Sequence, residues 1–371
     1  MGLDVEAYAC SVRVSSDTTT KERELKKSSL ISIGAVVAAS ALLLTGCSAS
    51  GGGASASRAC VILPDTESSP RWESNDRPAL EKALTDAGFE SDIQNAGGDT
   101  AKYATIADQQ LAKGCGVMVL VDLQGAGVTV AEKAKAAGIP VVAYDRPIAG
   151  ADYYVSFDNE GVGAIQGECI VDGLTAAGKD PKTAVVVYIG GDAADGNAKM
   201  FHDGAVSVME AAGIKPAAEP AGAWDGAKSA TNFEQALTSL GGAVDAVWVA
   251  NDTNAAGVIT ILDKNGLTVP VSGQDASPAG LGNVLLGKQT CTVWKPASVE
   301  AGAASDVIIK LLKGESITAG KTTADGVPYI AVTPTKILKD NVIDVVTAGD
   351  VTAADLCVGD VAAVCTELGI K

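Results

Sequence analysis

From residue 59 onward, short runs of β-forming residues alternate with longer segments of helical pattern. The runs at 60–63, 117–121 and 141–144 are continuous and apolar, whereas the segments at 100–113 and 129–137 have a helical pattern and stop at glycine. Strands that are apolar along their whole length are typical of a parallel sheet, because helices cover both of its faces. The alternation therefore predicts a doubly wound parallel α/β sheet.

The alternation starts again after residue 158. Predicted strands at 184–189, 217–221, 246–250 and 269–272 alternate there with predicted helices at 159–176, 198–211, 227–240 and 255–265. A strand at 292–294 and a helix at 298–313 follow. Two sets of βα units indicate two lobes instead of one very wide sheet, and 371 residues with 47% hydrophobic content can fill two medium-sized cores.

The N-terminal region has the pattern of an export signal. The apolar stretch at 30–44 is short for a membrane span and typical of a signal-peptide core. Leu44-Thr45-Gly46-Cys47 follows and resembles the lipobox of bacterial lipoproteins, whose cysteine is lipidated; an accidental cysteine is the alternative. We predict a signal peptide at 1–46, with a misplaced start site within the long, acidic 1–25, and a lipid-anchored flexible tether at 47–57 that is rich in Gly, Ser and Ala.

The cysteine pattern favours disulfides. Beyond Cys10 and Cys47 the chain has an even number of cysteines, as exported proteins with disulfides do. Cys357 and Cys365 are close in sequence and form the first candidate pair. Cys60 and Cys115 each introduce a predicted strand, so neighbouring strands would bring them together. The remaining pair, Cys169 with Cys291, has no such support.

Composition argues against several function classes. With 28 Lys and Arg against 45 Asp and Glu, the net charge is −17, which disfavours nucleic acid and anionic lipid. His202 is the only histidine, so a histidine-based triad or a His-rich metal site is not expected. No phosphate-loop, dinucleotide, zinc, redox or calcium motif is found in the sequence. Carboxylates could form a glycosidase pair, but nothing in the sequence singles one out. We predict no catalysis, no cofactor and no metal.

Polar residues follow the predicted strands at the positions where the strands end. Tyr144-Asp145-Arg146 ends one strand, and Asp158-Asn159-Glu160 follows the strand at 153–157. The other segments are Ser69-Pro70-Arg71-Trp72, Asp195-Gly196-Asn197-Ala198-Lys199, Trp224-Asp225, Asn251-Asp252-Thr253, Gln274-Asp275-Ala276 and Trp294-Lys295-Pro296. Ligands of open α/β sheets bind outside the carboxyl ends of the strands. Charged groups that donate and accept hydrogen bonds, together with indoles, suit a neutral polyhydroxy ligand.

These segments resemble, in the same order and over roughly residues 59–345, the xylose-binding proteins of bacterial ABC importers. That family has a closely similar Tyr-Asp-Arg followed by Ser-Phe-Asp-Asn-Glu. The resemblance implies the type I periplasmic-binding-protein fold, with two doubly wound lobes joined by a three-strand hinge. The implied lobes are 58–157 plus 292–328 and 158–291 plus 329–371, with crossings near Phe157, near Thr292 and at 328–332.

The same resemblance implies a ligand site between the lobes. The implied residues are Arg71, Trp72, Asp145 and Arg146 from the N-terminal lobe, Asn197, Trp224, Asn251 and Asp275 from the C-terminal lobe, and Lys295 beside the hinge. Their ligand would be a monosaccharide held between the indoles of Trp72 and Trp224.

The function implied by the resemblance is that of a monomeric, extracytoplasmic lipoprotein on the outer face of the cell membrane. It would bind a xylose-like aldose and deliver it to an ABC permease and its ATPase by hinge closure. A sugar sensor that presents its closed form to a membrane receptor is an alternative, as is a binder of another polyol or of an oligosaccharide. A repressor of the same fold family would need an N-terminal helix-turn-helix and a basic patch, where this chain has a signal-like segment.

Two residues depart from the family pattern, and several others have simpler explanations. Gly196 replaces an asparagine and Trp294 replaces a tyrosine, so the pocket is expected to be reshaped and the sugar is left open. We expect Trp248, inside an apolar strand, to be a core residue. Asp76 is predicted to cap the helix at 78–87, and Asn251-Asp252 could cap the helix that follows it. Asp145 and Arg146 can pair with each other when the site is empty, or could form only an inter-lobe salt bridge, and Lys295 could be a solvated hinge residue.

Overall fold

The computed structural model describes residues 58–371. The predicted signal peptide, Cys47 and the rest of the tether lie outside the described residues. Within 58–371, no helix combines the length and the apolar composition needed to cross a membrane.

A seven-stranded sheet forms around the first set of βα units. Its strands are β1 (Arg58–Leu63), β2 (Glu90–Asn95), β3 (Val117–Leu120), β4 (Val141–Tyr144), β5 (Tyr153–Phe157), β10 (Lys321–Thr322) and β11 (Pro328–Val332). They lie in the order β10-β11-β5-β4-β3-β1-β2, and every pair is parallel except β10 with β11. The helices are α1 (Arg77–Asp86), α2 (Thr100–Lys113), α3 (Ala126–Ala136) and α9 (Ala297–Lys313). Separate buried clusters on its two faces confirm the predicted doubly wound sheet.

Local sequence signals account for the limits of these helices. The side chain of Asp99 accepts hydrogen bonds from the backbone N–H groups of Ala101 and Lys102, and Gly114, with a φ of 86°, ends α2. The prediction that Asp76 caps α1 is wrong, because its side chain makes no capping hydrogen bond there. A short π-helix, Trp72–Asp76, runs directly into α1 and turns Asp76 towards the interior.

The second set of βα units forms a smaller sheet of three strands. These are β6 (Val186–Ile189), β7 (Pro216–Ala218) and β8 (Ala246–Val249), in the order β7-β6-β8, and all pairs are parallel. The helices are α4 (Asn159–Ala176), α5 (Gly196–Ala211), α6 (Gly226–Ser239), α7 (Asp252–Lys264) and α8 (Pro278–Leu285). The strand predicted at 269–272 is reduced to one bridge between Val271 and Val247. Trp248 is fully buried, which confirms its predicted core position.

A third group of elements closes the C-terminal part. The antiparallel strands β9 (Thr292–Trp294) and β12 (Thr335–Ile337) pair with each other, and α10 (Val342–Ala348), α11 (Ala353–Leu356) and α12 (Val361–Leu368) share a buried cluster with α8. The chain passes between the two groups of sheets after Phe157, after Trp294 and after Val332. These passages lie close to the crossings expected near Phe157, near Thr292 and at 328–332, and the bounds of the two lobes stay a prediction.

Within residues 58–371 there are three disulfides, each between elements of the same part of the fold. Cys60 of β1 bonds to Cys115 just before β3, and Cys169 of α4 bonds to Cys291 just before β9. Cys357 and Cys365 close a short C-terminal loop. These are the three pairs that the sequence suggested.

The disulfide between Cys169 and Cys291 spans 122 residues, whereas the one between Cys357 and Cys365 spans 8. Because the cross-link that closes the longer loop removes more entropy from the unfolded chain, replacing Cys169 and Cys291 together by serine should lower the free energy of unfolding by about 2–4 kcal/mol. Urea denaturation of the double variant measures this. The matched variant that lacks Cys357 and Cys365 should lose less, and an equal or larger loss there would contradict the prediction.

Candidate functional site

The nine residues expected to form the ligand site line a single cavity of about 40 Å³ between the two sheets. They are Arg71, Trp72, Asp145, Arg146, Asn197, Trp224, Asn251, Asp275 and Lys295, and the cavity wall is completed by Ser68, Ser69, Asp195, Phe201 and Gln274. Most of them follow a strand or begin a helix, so they lie where the carboxyl ends of both sheets face each other. Contact of each residue with a ligand stays a prediction.

Arg71 is the centre of a buried ionic cluster. Its Nε and Nη2 donate to the two carboxylate oxygens of Asp76 at 2.9 and 2.8 Å, and Nη2 also donates to Glu300. Nη1 lies 3.3 Å from Oδ2 of Asp145. Asp76 further accepts a hydrogen bond from the hydroxyl of Tyr144. Arg71 is therefore fixed from behind by Asp76 and Glu300, and its Nη1 is directed towards Asp145 and the cavity.

Trp72 lies beneath two guanidinium groups. The Arg71 guanidinium carbon is 4.7 Å from the ring centroid of Trp72, and that of Arg146 is 5.6 Å away, which is cation–π distance. The indole N–H donates to the hydroxyl of Ser68 at 3.2 Å. These contacts hold the indole in one orientation in the cavity wall.

Asp145 and Arg146 do not pair with each other, which corrects the expectation from the sequence. Asp145 has a φ of 60°, a left-handed backbone that is rare for a residue with a side chain. Its carboxylate faces Arg71, whereas Nε of Arg146 lies 3.3 Å from Oδ2 of Asp195. Asp195 precedes α5 on the other sheet, so this ion pair bridges the cavity.

Asp195 also positions the second indole. Its Oδ2 accepts a hydrogen bond from the indole N–H of Trp224 at 3.0 Å, and burial, partly offset by Arg146, raises the pKa of Asp195. The ring of Trp224 packs edge-on against that of Phe201, with 6.3 Å between the ring centroids. A Cβ atom on Gly191 would lie 2.2 Å from that ring, so only glycine leaves room for the indole at this place.

Asn197 connects the two sides of the cavity through its amide. Its Nδ2 donates to the carbonyl oxygen of Asp145 at 2.8 Å, and its Oδ1 accepts from the hydroxyl of Tyr154 at 2.8 Å and from Nδ2 of Asn159 at 3.0 Å. Since both ends of the amide are engaged, Asn197 holds the strained backbone of Asp145 in place.

The two departures from the family pattern have different consequences. A Cβ atom on Gly196 would lie 2.6 Å from Cγ of Pro147, so glycine permits the close approach of the segment after Arg146. Trp294 donates its indole N–H to Asp350 at 2.7 Å and lines a neighbouring cavity with Pro70. Trp294 therefore acts behind the site, not in its wall.

Asp275 and Lys295 form a third ion pair in the cavity wall. Nζ of Lys295 is 3.0 Å from Oδ1 of Asp275, and the Lys295 side chain is 8% exposed, so it is not a solvated hinge residue. Asp275 and Ala276 both have positive φ, at 93° and 47°. This second strained aspartate mirrors Asp145 on the opposite side of the cavity.

Asp252 supports the strained turn from below. Its carboxylate accepts hydrogen bonds from the N–H of Ser277 at 2.9 Å, from Nε2 of Gln289 at 2.8 Å and from Oγ1 of Thr292 at 2.9 Å. Burial, reinforced by Asp275, raises the pKa of Asp252 to about 7. Asn251 caps α7 by accepting from the N–H of Asn254 and also lines the cavity, so both of its predicted roles are compatible with the structure.

The charges that line the cavity are balanced. Arg71, Arg146 and Lys295 stand against three carboxylates, those of Asp145, Asp195 and Asp275. Among the described residues, no group of His, Cys, Asp and Glu is arranged to hold a metal ion. Buried donors and acceptors beside two indoles can bind a neutral polar ring with hydroxyl groups.

Two important residues were not among those predicted. Asp195 lies in a segment that the sequence singled out, and its position before a helix indicated a cap but not an ion pair with Arg146. Glu300 is the single acidic residue on the buried face of α9, where Ala297, Ala301 and Ala304 are its neighbours. The sequence did contain one indication of its role, because an ionisable residue on an otherwise apolar helical face needs a buried partner.

Comparisons with known proteins agree with this geometry. Residues 60–316 match the family described as the periplasmic binding protein domain. The chain is 33% identical over 289 residues to the D-xylose-binding periplasmic protein of Escherichia coli (74% of this chain, 85% of that one), and 31% identical over 308 residues to the multiple sugar-binding periplasmic protein SbpA of Azospirillum brasilense (76% and 85%). A solved ABC transporter solute binding protein from Clostridium phytofermentans with bound β-D-glucose is 28% identical with a TM-score of 0.72, covering 81% of this chain and 99% of its own.

The raised pKa of Asp252 predicts a measurable pH effect on stability. A carboxyl with a pKa of about 7 in the folded state and an ordinary value of 3.8 keeps a proton in the folded chain that the unfolded chain releases, so stability should fall as pH rises from about 4 to 7. Asp252→Asn removes this group. The free energy of unfolding of the variant, compared with that of the unsubstituted protein, should rise by on the order of 2 kcal/mol between pH 4.5 and 7.5. Urea denaturation at both pH values measures this. Parallel pH profiles would contradict the assignment.

Proposed function

Because this chain belongs to the periplasmic binding protein domain family, we propose that it binds a neutral, xylose-like aldose outside the cytoplasm and delivers it to an ABC permease and its ATPase. Proteins of this family bind and transfer a substrate, and the chain is a binding protein, not an enzyme. The observation that carries the proposal is the cavity, in which balanced charges lie beside two indoles.

The side chains suit the chemistry of a pyranose. A sugar ring has apolar C–H faces, which Trp72 and Trp224 can cover, and a rim of hydroxyl groups that both donate and accept. Asp145 and Asp275 accept hydrogen bonds from the sugar hydroxyls, and Nη1 of Arg71 donates hydrogen bonds to those hydroxyls. A charged hydrogen bond contributes roughly 1.5–3 kcal/mol, and a sugar that lacks the matching hydroxyl leaves a buried charge unpaired. A sugar acid would add a charge for which the cavity has no counterpart.

We propose that binding closes two lobes around the sugar. The lobes are residues 58–157 with 292–328 and residues 158–291 with 329–371, and three chain crossings connect them. The Arg146–Asp195 ion pair and the bond from Asn197 to the carbonyl of Asp145 both bridge the cavity, which supports a closed arrangement. Entry of a sugar requires these contacts to open, as in hinge closure of periplasmic binding proteins.

The proposed location is the outer face of the cell membrane. The segment Leu44–Cys47 is similar to a lipobox, and the Gly- and Ser-rich residues 47–57 can serve as a flexible tether to a lipidated Cys47. A monomer suffices for this role, because a single chain supplies all the cavity residues.

A thermal-shift screen tests the function. The mature chain with Cys47 replaced by serine is mixed with xylose, glucose, galactose, arabinose, ribose, myo-inositol and xylonate. We expect a clear rise in Tm with one or two aldoses, since a ligand at a hundred times its Kd stabilises the folded state by about 2.7 kcal/mol, and no rise with the anionic xylonate. A response to xylonate alone, or to none of these compounds, would refute a neutral-aldose site.

Trp224→Ala should weaken aldose binding by about 1–3 kcal/mol, which is roughly 5- to 150-fold in Kd, because the ring loses its apolar contact. Isothermal titration calorimetry measures the loss, and circular dichroism checks that the fold is intact. Trp294→Phe is the matched control, since Trp294 does not line the cavity, and it should stay within about twofold. Equal effects of the two changes would exclude Trp224 from the site.

A further inference from the structure

Glu300 is a buried acid directly behind the proposed sugar site. It lies in the first turn of α9, just after the chain leaves β9, and its side chain has no exposed surface. One carboxyl oxygen accepts a hydrogen bond from Nη2 of Arg71, while Oε1 has no hydrogen-bond partner within the described part of the chain. A buried carboxyl with an unpaired oxygen is costly, and more so when it is ionised.

Arg71 has more carboxylates around it than it can neutralise. Asp76, Asp145 and Glu300 all contact its guanidinium, and one positive charge cannot balance three negative ones in a buried place. Burial, opposed by Arg71 and reinforced by Asp145 and Asp76, raises the pKa of Glu300 to about 8. A proton on Glu300 at neutral pH therefore removes one of the two surplus negative charges.

The phenols and the guanidinium around Glu300 keep their charge state near pH 8. The groups that interact with it from the packed elements are Arg71, Asp76, Asp145, Tyr144, Tyr154 and Tyr329. Burial raises the pKa of all three phenols, so they stay neutral, and the pKa of Arg71 is also raised, so it stays charged. These three phenols and Arg71 therefore add no change of charge between pH 7 and 9 beside Glu300.

We propose that Glu300 is a positioning residue that holds Arg71 against Asp145 and couples sugar binding to the uptake of one proton. This inference rests on the proposed function, because it needs a sugar in the cavity. A sugar displaces water from the space beside Asp145, and the lower local polarity strengthens the repulsion between Asp145 and an ionised Glu300. Binding then favours the form in which a proton from the solvent is bound to the Glu300 carboxylate.

The direction of the pH effect follows from linkage. If sugar binding takes up a proton, the affinity for the sugar must fall as pH rises through the pKa of Glu300 in the sugar-free protein, which is about 8. A rise of one unit in the pKa of Glu300 on binding corresponds to a tenfold change in Kd. We therefore expect the Kd to increase about three- to tenfold between pH 6.5 and 9.

Calorimetric titration of the mature chain with D-xylose tests this without any variant. At pH 8 the measured heat should differ between phosphate and Tris, because the buffer supplies the proton and the two buffers have different enthalpies of ionisation. The same titrations between pH 6.5 and 9 give the dependence of Kd on pH. Intact binding with a heat that does not depend on the buffer would overturn the coupling alone, whereas no binding of xylose or of the other aldoses at any pH would overturn the proposed function as well.

Variants separate the charge of Glu300 from its hydrogen bond. Glu300→Gln keeps an acceptor for Arg71 but cannot titrate, so its Kd should stay within about twofold of the unsubstituted value at pH 6.5 and become independent of pH. Glu300→Ala removes the acceptor and should weaken binding at every pH. Asp306→Asn, on the exposed side of the same helix, should keep the original pH profile. A Gln variant with an unchanged pH profile would assign the proton to another group.

Discussion

The guanidinium of Arg71 is the interaction on which the architecture of the cavity depends. It joins the π-helix before α1, the end of β4 and the start of α9 through Asp76, Asp145 and Glu300. These elements are far apart in sequence, and a buried cation is stable only where all of them meet. Nε and Nη2 of Arg71 donate to Asp76 and Glu300, and Nη1 is directed towards the ligand space. The contacts of Arg71 that hold these elements together are thus the same contacts that direct a hydrogen-bond donor into the cavity.

The cavity contains backbone strain on both sides, and each strained residue has its own support. Asp145 has a left-handed backbone that is held by the amide of Asn197 from the other sheet. Asp275 is held in a similar conformation by the turn that Asp252 fixes through Ser277. Strain of this kind costs of order 1–3 kcal/mol for each residue and persists only where the surroundings enforce it. Its place at two of the three carboxylates that line the cavity indicates that the direction of these side chains matters more than local stability.

Much of the fold could be predicted because strand and helix periodicity are local properties. The limits of α2 and α4 agree with the sequence pattern, and the nine residues that the family resemblance implied line one cavity at the strand ends. The partners of charged groups were harder to foresee, because they depend on the relative position of distant elements. Asp76 was expected to cap α1 and instead binds Arg71, since the preceding π-helix rotates it inward. The short helices after β12 were not predicted, because their length leaves little periodic signal.

The identity of the sugar depends on how the second indole is held. Trp224 is fixed by Asp195 and by the space above Gly191, and Asp195 in turn pairs with Arg146 across the cavity. Any movement that opens the cavity must therefore release Arg146 from Asp195 and change the support of the indole. In the proposed mechanism, recognition of the ring face and closure of the lobes are coupled through this one carboxylate. A sugar whose hydroxyls compete for Asp195 would weaken that closure, whereas one that leaves Asp195 to Arg146 and Trp224 would preserve it, so the proposed selectivity depends on the network as much as on the shape of the cavity.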